Sequence, residues 1–346
     1  MAGTIRWGVL GSGGIARRRT IPEGIAPAGN AGLAAVYDID QAANQEVAGR
    51  FGATAAHSEE ELLGAGMDAV YVATPADVHC AQVLACAAAG KHVLSEKPLG
   101  MTVAEAETMV AVMKQAGLRL GTAFMMRFLA QHQAARKLVA EGRLGKPVYG
   151  RAQLSCWYPP MAGAWRQDPA LAGGGSLIDM GGHLIDLLEM FFGPVSEVSC
   201  FIHNSVHQYQ SEDSAAALLR FANGAMATVD TFFCIPDEAG DNVLELYGSR
   251  GSILAKGTIG QGSQGQMLAR LGAAGAGYDA QQLRDSAAGF EIAPEPVNTY
   301  RAEIEEFSQA LLDGRPSCLS GQIGLRNQMV LAACYESARA GRAISV

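Results

Sequence analysis

The chain has 346 residues and a mass of 36.1 kDa, with 49% hydrophobic residues, only 17% charged residues and a formal net charge of -8. This length exceeds what a single hydrophobic core organises, so we expect two domains, and the apolar content excludes a disordered protein. The acidic balance, without any long basic run, excludes a protein that binds nucleic acid through clustered Lys and Arg.

Membrane and export functions are also disfavoured. No apolar run reaches the roughly 20 residues that a membrane-spanning helix needs. The one basic cluster, Arg17–Arg19, is not followed by the apolar stretch of an export signal. The seven cysteines contain no C-x-x-C pair, which favours buried free thiols in a reducing cytoplasm over disulfides or a metal site.

Strands and helices alternate over the first third of the chain. The apolar run "TIRWGVL" stops at a glycine cluster, which predicts a buried strand that turns directly into a helix. Further strands are predicted at "GLAAVYDID", "DAVYVATP", "KHVLSEKP" and "LRLGTAF", and helices over 41–51, 79–89, 103–116 and about 126–141. This alternation predicts an α/β fold whose residues 1–124 form a doubly wound parallel Rossmann sheet.

From Pro147 onward, the apolar period changes to two, and "ANGA" and "GSRGS" predict hairpin turns. One helix is predicted at about 176–192, and "YRAEIEEFSQALLDG" and "GLRNQMVLAACYESARAG" predict two closing helices. The Gly-, Ala- and Gln-rich segment over about 260–289 is interpreted as a surface loop or as a protruding segment that contacts a partner. Residues 125–346 are thus predicted to form an α+β substrate-binding and oligomerisation domain with a large, mostly antiparallel open sheet.

The glycine cluster places Gly11, Gly13 and Ala16 in a G-x-G-x-x-A arrangement. Such a turn lets a pyrophosphate approach the backbone at the N-terminus of a helix. Asp38 ends the next strand about 20 residues later, where a carboxylate accepts the ribose hydroxyls and repels a 2′-phosphate. Because Ile39 rather than an arginine follows it, the sequence predicts NAD in preference to NADP. The alternative is that Asp38 is an ordinary turn residue.

Two further motifs carry potential chemistry. "SEKP" puts Lys97 at the carboxyl end of a predicted parallel strand, either facing a ligand or reaching into solvent. In "GGGSLIDMGGHLIDL", Asp179 and His183 share a helix face, with Asp186 on nearly the same side. A carboxylate and an imidazole on an otherwise apolar helix suit proton transfer, or they form a satisfied polar pair in a core.

Taken together, these motifs resemble the Gfo/Idh/MocA oxidoreductases, named for glucose–fructose oxidoreductase and inositol dehydrogenase. The resemblance covers essentially the whole chain and includes "GVLGSGGIA", "GKHVLSEKP", "WRQDPALAGGGSLIDMGGHLIDL", "LYGSRGS" and "YESARAGR". It implies that Lys97, Asp179 and His183 surround a reacting carbinol. It also implies that residues along the cofactor path bind the dinucleotide: Gly11, Ser12, Gly13, Gly14, Ile15, Asp38, Ile39, Thr74, Pro75, His79, Glu96 and Lys97.

Arg127, Trp165 and Arg166 resemble positions that face nicotinamide or substrate in this family, together with Asp179 and His183. The family commonly pairs its sheet faces, which implies a homodimer or homotetramer.

The implied activity is transfer of a hydride between NAD and a secondary alcohol of a sugar or polyol, with His183 accepting the hydroxyl proton and Lys97 stabilising the oxyanion. Which of the two is the formal base stays open. One alternative is an NAD-dependent glycoside hydrolase that oxidises a ring hydroxyl transiently. It needs a further base, for which Tyr158, His207 and Tyr209 are candidates. A non-catalytic NAD sensor is a third possibility, and it leaves the three polar side chains without a purpose.

Overall fold

The structure is a computed structural model. It describes residues 3–262, 265–272, 280 and 288–346. These residues form two sheets with helices packed against them. Among them, no helix has both the length and the apolar character required to span a bilayer.

The first sheet has six strands, all paired in parallel, which confirms the predicted doubly wound α/β sheet. Its strand order is β3-β2-β1-β4-β5-β6, so the direction of winding reverses between β1 and β4. In a sheet of this kind, ligands bind beyond the carboxyl ends of the strands at the reversal. The strands are β1 Ile5–Leu10, β2 Ala31–Tyr37, β3 Thr54–Ala55, β4 Ala69–Val72, β5 His92–Ser95 and β6 Leu120–Thr122.

The helices between these strands largely match the predictions. The helices are α1 Gln41–Phe51, α2 Glu59–Gly64, α3 Ala76–Ala88, α4 Val103–Gln115 and α5 Ala130–Ala140. Asp40 caps the first of them by accepting hydrogen bonds from two backbone N–H groups, and Gly52 ends it with a φ of 68°. The third begins three residues before the predicted start, directly after Pro75.

Two predicted helices have a different local form. The helix after the glycine motif is a π-helix, Ala16–Ile25, which contains Pro22. The helix predicted over about 126–141 is divided into a 3-10 turn, Met125–Phe128, and α5, because Leu129 between them is extended with a ψ of 127°. Pro22 is a sequence signal for the first deviation, because an interior proline cannot donate the backbone hydrogen bond of a regular α-helix.

The second sheet has nine strands in the order β14-β13-β12-β11-β7-β10-β9-β8-β15. Every pair is antiparallel except β7 with β10, which confirms the predicted mostly antiparallel open sheet. Both predicted hairpin turns are present, between β9 and β10 and between β11 and β12. The strands are β7 Pro147–Ser155, β8 Val195–His203, β9 Ser214–Phe221, β10 Met226–Phe232, β11 Val243–Gly248, β12 Gly251–Lys256, β13 Gln266–Leu271, β14 Phe290–Glu291 and β15 Ile344–Ser345.

The interpretation of residues 260–289 as a surface loop or partner-contacting segment is wrong for residues 266–271, which form a strand. β13 lies in this segment and pairs with β12, and the side chains of Met267 and Ala269 are buried against the core. Met267, Ala269 and Leu271 are three apolar residues at period two, which is a short pattern within a Gly- and Gln-rich segment. Residues 263–264, 273–279 and 281–287 lie outside the described residues.

The helix predicted over 176–192 begins as a π-helix, Leu177–Gly181, and continues as α7 Gly182–Phe192, preceded by the short α6 Pro169–Ala172. Its apolar side packs in the core under the second sheet. π-helical turns of this kind are frequent at functional sites.

The two predicted closing helices are α8 Thr299–Leu312 and α9 Gly321–Ala340. α8 returns to the first sheet, where Phe307 packs 5.8 Å from Trp7 and Ser308 accepts a hydrogen bond from the Trp7 indole. α9 packs on β8 of the second sheet. The chain therefore contributes residues beyond 298 to the core of the first sheet, while the division at residue 124 stays a prediction.

Candidate active site

A cavity of about 830 Å³ lies at the carboxyl ends of the first-sheet strands and extends to the helix that carries Asp179. Ser12 and Arg127 are the two predicted site residues that do not line it. The others do: Gly11, Gly13, Gly14, Ile15, Asp38, Ile39, Thr74, Pro75, His79, Glu96, Lys97, Trp165, Arg166, Asp179 and His183. The structure thus brings together motifs that are up to 172 residues apart, a separation given by Gly11 and His183.

The glycine turn has the geometry of an anion cradle. Gly11 has a φ of 81°, and a Cβ there would lie 2.8 Å from the backbone of Ala73. A Cβ on Gly13 would lie 3.0 Å from Oδ2 of Asp38. The side chain of Ser12 is buried and donates to Asn44 instead of facing the cavity. The backbone of the turn is therefore open to a phosphate group.

Asp38 is held at the end of β2 by two backbone hydrogen bonds. Its Oδ2 accepts from the N–H of Gly13 at 2.7 Å, and its Oδ1 accepts from the N–H of Asp40 at 2.9 Å. Each carboxylate oxygen has a second lone pair, so both can still accept a ligand hydroxyl. Ile39 beside it is 89% exposed and forms an apolar wall of the cavity.

Arg18 lines the cavity beside the glycine turn and was not predicted. Its guanidinium has no ion-pair partner in the described part of the chain, whereas Arg17 pairs with Glu46 and Arg19 with Glu23. A basic residue in the first helical turn after a glycine motif would have been a usable signal, because that turn faces the phosphates. Sequence reasoning considered the cluster only as an export signal.

His79 connects the turns that follow β4 and β5. Its ring nitrogens lie 2.9 Å from the carbonyl oxygens of Pro98 and Thr74. Burial lowers the pKa of this imidazole, so it is neutral at neutral pH and has one N–H to donate. His79 therefore fixes the Thr74–Pro75 turn relative to the strand end that carries Lys97.

The carboxylate of Glu96 is positioned by the buried hydroxyl groups of Tyr71 and Thr20. The Tyr71 hydroxyl donates to Oε1 of Glu96 at 2.5 Å, and Thr20 donates to the Tyr71 oxygen at 3.3 Å. Beneath this pair lies Glu303, which is 1% exposed and whose Oε1 has no partner among the described residues. Burial and the charge of Glu96 raise the pKa of Glu303, so it is a neutral acid.

Lys97 and Arg166 converge on Asp179. Nζ of Lys97 lies 2.8 Å and Nε of Arg166 lies 3.1 Å from Oδ1 of this carboxylate. Burial opposes ionisation of Asp179, but the charges of Arg166 and Lys97 outweigh it and hold its pKa below the ordinary value. The Arg166 guanidinium also stacks 4.3 Å from the ring centroid of Trp165. Asp179 is thus paired with two cations in the cavity wall, which also carries the carboxylate of Glu96.

His183 is on the same helix face as Asp179, as predicted. Burial and the positive charge of Lys97 lower the pKa of its imidazole to about 3, so the ring is neutral at neutral pH. Its Nδ1 is buried without a hydrogen-bond partner among the described residues, and Phe124 packs edge-on at 6.2 Å. His183 also lines the cavity, so it is the cavity-facing side of the ring, and not the buried Nδ1, that can contact a ligand.

Arg127 and Asp186 form an ion pair away from the cavity. Nε and Nη2 of Arg127 donate to the two carboxylate oxygens at 2.7 Å and 2.6 Å, and Nη1 donates to the carbonyl of Cys318. This bidentate, buried pair ties the 3-10 turn before α5 to α7. The sequence predicted Asp186 beside His183 on the helix, but its partner could not be inferred.

The three glycines before the helix that carries Asp179 and His183 allow close contacts with other parts of the chain. The N–H groups of Gly175 and Leu177 donate to the carboxylate of Glu212, which also accepts from the hydroxyl of Tyr335. A Cβ on Gly175 would overlap the carbonyl oxygen of Glu212, and one on Gly174 would overlap the Tyr335 hydroxyl. Glu212, which was not predicted, thus holds the start of the helix that positions Asp179 and His183.

The comparisons with known proteins agree with this geometry. Residues 5–124 match the model of the oxidoreductase family with an NAD-binding Rossmann fold, GFO/IDH/MocA, and residues 132–254 match that of a GFO/IDH/MocA C-terminal domain. The chain is 30% identical to 1,5-anhydro-D-fructose reductase of Ensifer adhaerens, over 99% of this chain and 98% of the relative.

Two further similarities cover nearly the whole chain. It is 27% identical to myo-inositol 2-dehydrogenase of Thermotoga maritima, over 92% of each protein. The structure of aldose-aldose oxidoreductase from Caulobacter crescentus, complexed with glycerol, superposes with a TM-score of 0.88 at 27% identity and covers 99% of this chain and 100% of that one.

Proposed function

The chain belongs to the GFO/IDH/MocA oxidoreductase family. From this premise, we propose that it transfers a hydride between NAD and a secondary hydroxyl or carbonyl group of a sugar, sugar derivative or polyol. The single observation that carries the proposal is the convergence of Lys97 and Arg166 on Asp179, beside His183, in the cavity that also contains the glycine turn. Hydride transfer needs both a dinucleotide site and a group that handles the hydroxyl proton.

The cofactor site fits NAD in its charge. The glycine turn and the start of the π-helix after it would hold the pyrophosphate, and Asp38 would accept the ribose hydroxyls with the lone pairs that its backbone contacts leave free. A 2′-phosphate would meet the same carboxylate and be repelled. Ile39, the Thr74–Pro75 turn with His79, and Glu96 would complete the walls of the site. When bound, NAD supplies the acceptor or donor of the hydride.

The proton of the substrate hydroxyl is handled by Lys97 and His183. The ammonium group of Lys97 stabilises negative charge that develops on the substrate oxygen, and Asp179 orients that ammonium group. His183 is neutral and can accept a proton at neutral pH, although its lowered pKa makes it a weaker base than free imidazole. Of these two residues, the formal base is the one whose removal abolishes the acidic limb of the pH–rate profile.

The substrate is placed between this cluster and the cavity wall that carries Trp165 and Arg166. Arg166 offers N–H donors that suit the oxygens of a polyhydroxylated compound. Arg127 is left outside the proposed substrate set, because Asp186 and the carbonyl of Cys318 occupy its guanidinium.

We further propose a homodimer or homotetramer formed through the open face of the second sheet. Phe201 and Leu218 are 78% and 47% exposed on this face, opposite the face covered by α7 and α9. Exposed apolar side chains on a sheet face are a feature of protein interfaces. The seven free thiols support a location in the cytoplasm, since a reducing compartment preserves them.

The experiment is a screen of free sugars, polyols and aryl glycosides with NAD+, following both NADH absorbance and aglycone release. We expect NADH to accumulate in proportion to oxidised product. Aglycone release without net NADH would instead indicate the redox-neutral hydrolase. In the structure, none of Tyr158, His207 and Tyr209 lines the described part of the cavity, and no observation favours that route. The absence of turnover with every compound would contradict the proposal.

A further inference from the structure

Asn242, at the start of β11, has a conformation that calls for an explanation. Its φ is 45°, and it is the only residue other than glycine with a positive φ in the described ranges. A left-handed backbone costs of order 1 kcal/mol for an L-residue, and Asn tolerates it better than most. Residues held in such conformations cluster at ligand sites, where the surrounding structure fixes them.

The side-chain amide of Asn242 has a fixed orientation. The backbone N–H of Ser155 lies 3.0 Å from Oδ1, and the Ser155 hydroxyl donates to the same atom at 3.4 Å. Because a backbone N–H can only donate, the amide atom that faces it must be the oxygen. Nδ2 therefore points elsewhere, and no acceptor for it lies among the described residues.

Asn242 is on the cavity wall at the substrate end. Asn242, Ser155 and Cys156 all line the cavity. β7, which ends at Ser155, packs against the π-helix that carries Asp179. In agreement with this contact, burial and then the charge of Asp179 raise the pKa of the neighbouring Cys156 thiol to about 12. Asp38 belongs to the opposite, cofactor end. The free amide donor is therefore a neighbour of the Lys97–Asp179 cluster and not of the adenosine site.

We infer that Nδ2 of Asn242 donates a hydrogen bond to a substrate oxygen other than the reacting one, so that Asn242 is a specificity-determining residue. The inference rests on the proposed function only in taking the ligand to be a polyoxygenated compound. A fixed donor favours substrates that carry an acceptor oxygen at this position. It disfavours analogues that lack the oxygen, because the amide N–H would lose its water without gaining a partner.

Direct binding tests the inference without relying on turnover. D-glucose, D-xylose and myo-inositol are titrated calorimetrically into the NADH-loaded protein and 1,5-anhydro-D-fructose into the NAD+-loaded protein, so that probe and cofactor form a complex that does not turn over. The probe that the wild type binds most tightly is used with the variants. Asn242→Gly removes the side chain at a φ that glycine accepts. Asn242→Asp keeps the acceptor for Ser155 and the backbone tolerance but has no N–H to donate. Asn223→Gly makes the same change as the first at a hairpin turn outside the cavity.

We expect Asn242→Gly and Asn242→Asp each to raise the Kd of the probe by about five- to tenfold, as befits one lost hydrogen bond. The Kd of NAD+ should be unchanged in both variants, and the probe Kd should be unchanged in Asn223→Gly. If both variants bind the probe with the wild-type Kd and only their melting temperature is lower, Asn242 has a purely structural role in the loop. That result would overturn the inference.

Two other outcomes also decide the inference. Loss of affinity in Asn242→Gly but not in Asn242→Asp would overturn the assignment of the residue as a donor. A wild-type protein that binds none of the four probes would overturn the inference together with the proposed substrate class, whereas unchanged variants with a binding wild type overturn the inference alone.

Discussion

Nζ of Lys97 lies 2.8 Å from Oδ1 of Asp179 and 2.6 Å from the carbonyl oxygen of the same residue. One partner ends a strand of the first sheet, and the other lies on the π-helix that precedes α7. The position of the ammonium group is therefore set jointly by both halves of the structure. A change to either residue should lower the rate of the chemical step.

We expect Lys97→Ala to lower kcat by at least about 100-fold, the usual scale for a group that transfers a proton or stabilises an oxyanion. His183→Ala should lose a comparable factor. Asp179→Asn should lose less, because an amide still hydrogen-bonds a hydroxyl but does not balance the charge of Lys97. Steady-state kinetics measures the losses, and NAD+ titration should show that the variants still bind the dinucleotide, because the glycine turn and Asp38 hold most of it.

Lys91→Ala is the matched control for the lysine. Lys91 lies just before the same strand, β5, and its Nζ donates to the carbonyl of Met67 away from the cavity. Its removal should leave kcat unchanged. Near wild-type turnover in Lys97→Ala or His183→Ala would mean that the chemistry takes place elsewhere.

Asp38 should determine the choice of cofactor. Asp38→Ala removes the acceptor of the ribose hydroxyls and the repulsion of a 2′-phosphate, so we expect the Kd of NAD+ to rise about tenfold or more and the preference over NADP+ to shrink. Fluorescence titration with both dinucleotides measures the change. In Asp40→Asn, the cap of α1 is kept and the cofactor site is untouched, so both affinities should remain at wild-type values. A wild type that binds NADPH more tightly than NADH would refute this role of Asp38.

The elements that could be predicted from the sequence are those in which one local pattern decides the structure. The strand around Val70 is apolar throughout and that around Val9 is apolar except for Arg6, and α1 has a cap at each end, Asp40 and Gly52. The cofactor turn is similarly local, since the glycines and Asp38 are part of one strand–helix–strand unit. Asp179 and His183 could be placed on one face because helical spacing survives the π-helical turn.

The features that could not be predicted depend on partners that are far away in the sequence. Glu212 meets Gly175 from 37 residues away, and Arg127 meets Asp186 across 59 residues. A charged side chain gives no sequence signal for whether it faces a ligand or a buried partner. The conformation of Asn242 depends on Ser155, which lies 87 residues earlier and on a different strand. The hydrophobic periodicity of a sequence identifies a helix or strand, but it does not identify the residues that pack against that helix or strand.

The close approach at Gly175 should make this glycine irreplaceable. In Gly175→Ala, the new methyl group would meet the backbone of Glu212, which cannot move without breaking the hydrogen bonds at the start of the helix. We expect a loss of about 1 to 3 kcal/mol in the free energy of unfolding and a lower kcat, since Asp179 and His183 shift with the helix. Urea unfolding and kinetics measure the two effects.

Gly49→Ala provides the contrast. This glycine lies inside α1, and a Cβ there would meet nothing within 4 Å. The variant should gain up to about 1 kcal/mol through helix propensity and keep full activity. Equal stability of Gly175→Ala and the wild type would show that the helix start is more adaptable than its contacts indicate.

Phe201→Glu and Leu218→Glu test the proposed interface on the open sheet face. Burying either carboxylate in an apolar interface is unfavourable, so each variant should shift the protein to monomers in light scattering at micromolar concentration. Leu312→Glu introduces the same charge at an exposed position of α8 and should leave the assembly intact. A wild type that is monomeric under these conditions would exclude the interface.

The last prediction concerns the stability of the fold below neutral pH, to which His132 should make a separable contribution. This side chain is fully buried between the carbonyl oxygen of Met126, 2.8 Å from Nδ1, and the hydroxyl of Thr258, 3.3 Å from Nε2. Burial lowers its pKa from 6.5 to about 4. The unfolded chain therefore binds a proton at higher pH than the folded protein does. The contribution of the neutral His132 side chain to the free energy of unfolding is fully present above pH 6.5. It is lost as the pH falls from 6.5 toward 4.

At pH 5, His132 alone accounts for a loss of about 2 kcal/mol relative to pH 7.5. His132→Gln keeps a donor for the Met126 carbonyl but does not titrate. The variant should be less stable than the wild type at pH 7.5, because the amide fills the site less well, yet it should lose about 2 kcal/mol less on going to pH 5. Urea midpoints of both proteins at the two pH values measure this difference, and all other titrating groups are common to both. Parallel losses in the two proteins would show that the His132 imidazole does not stay neutral in the folded state, and the pH dependence would then have to come from groups such as His183.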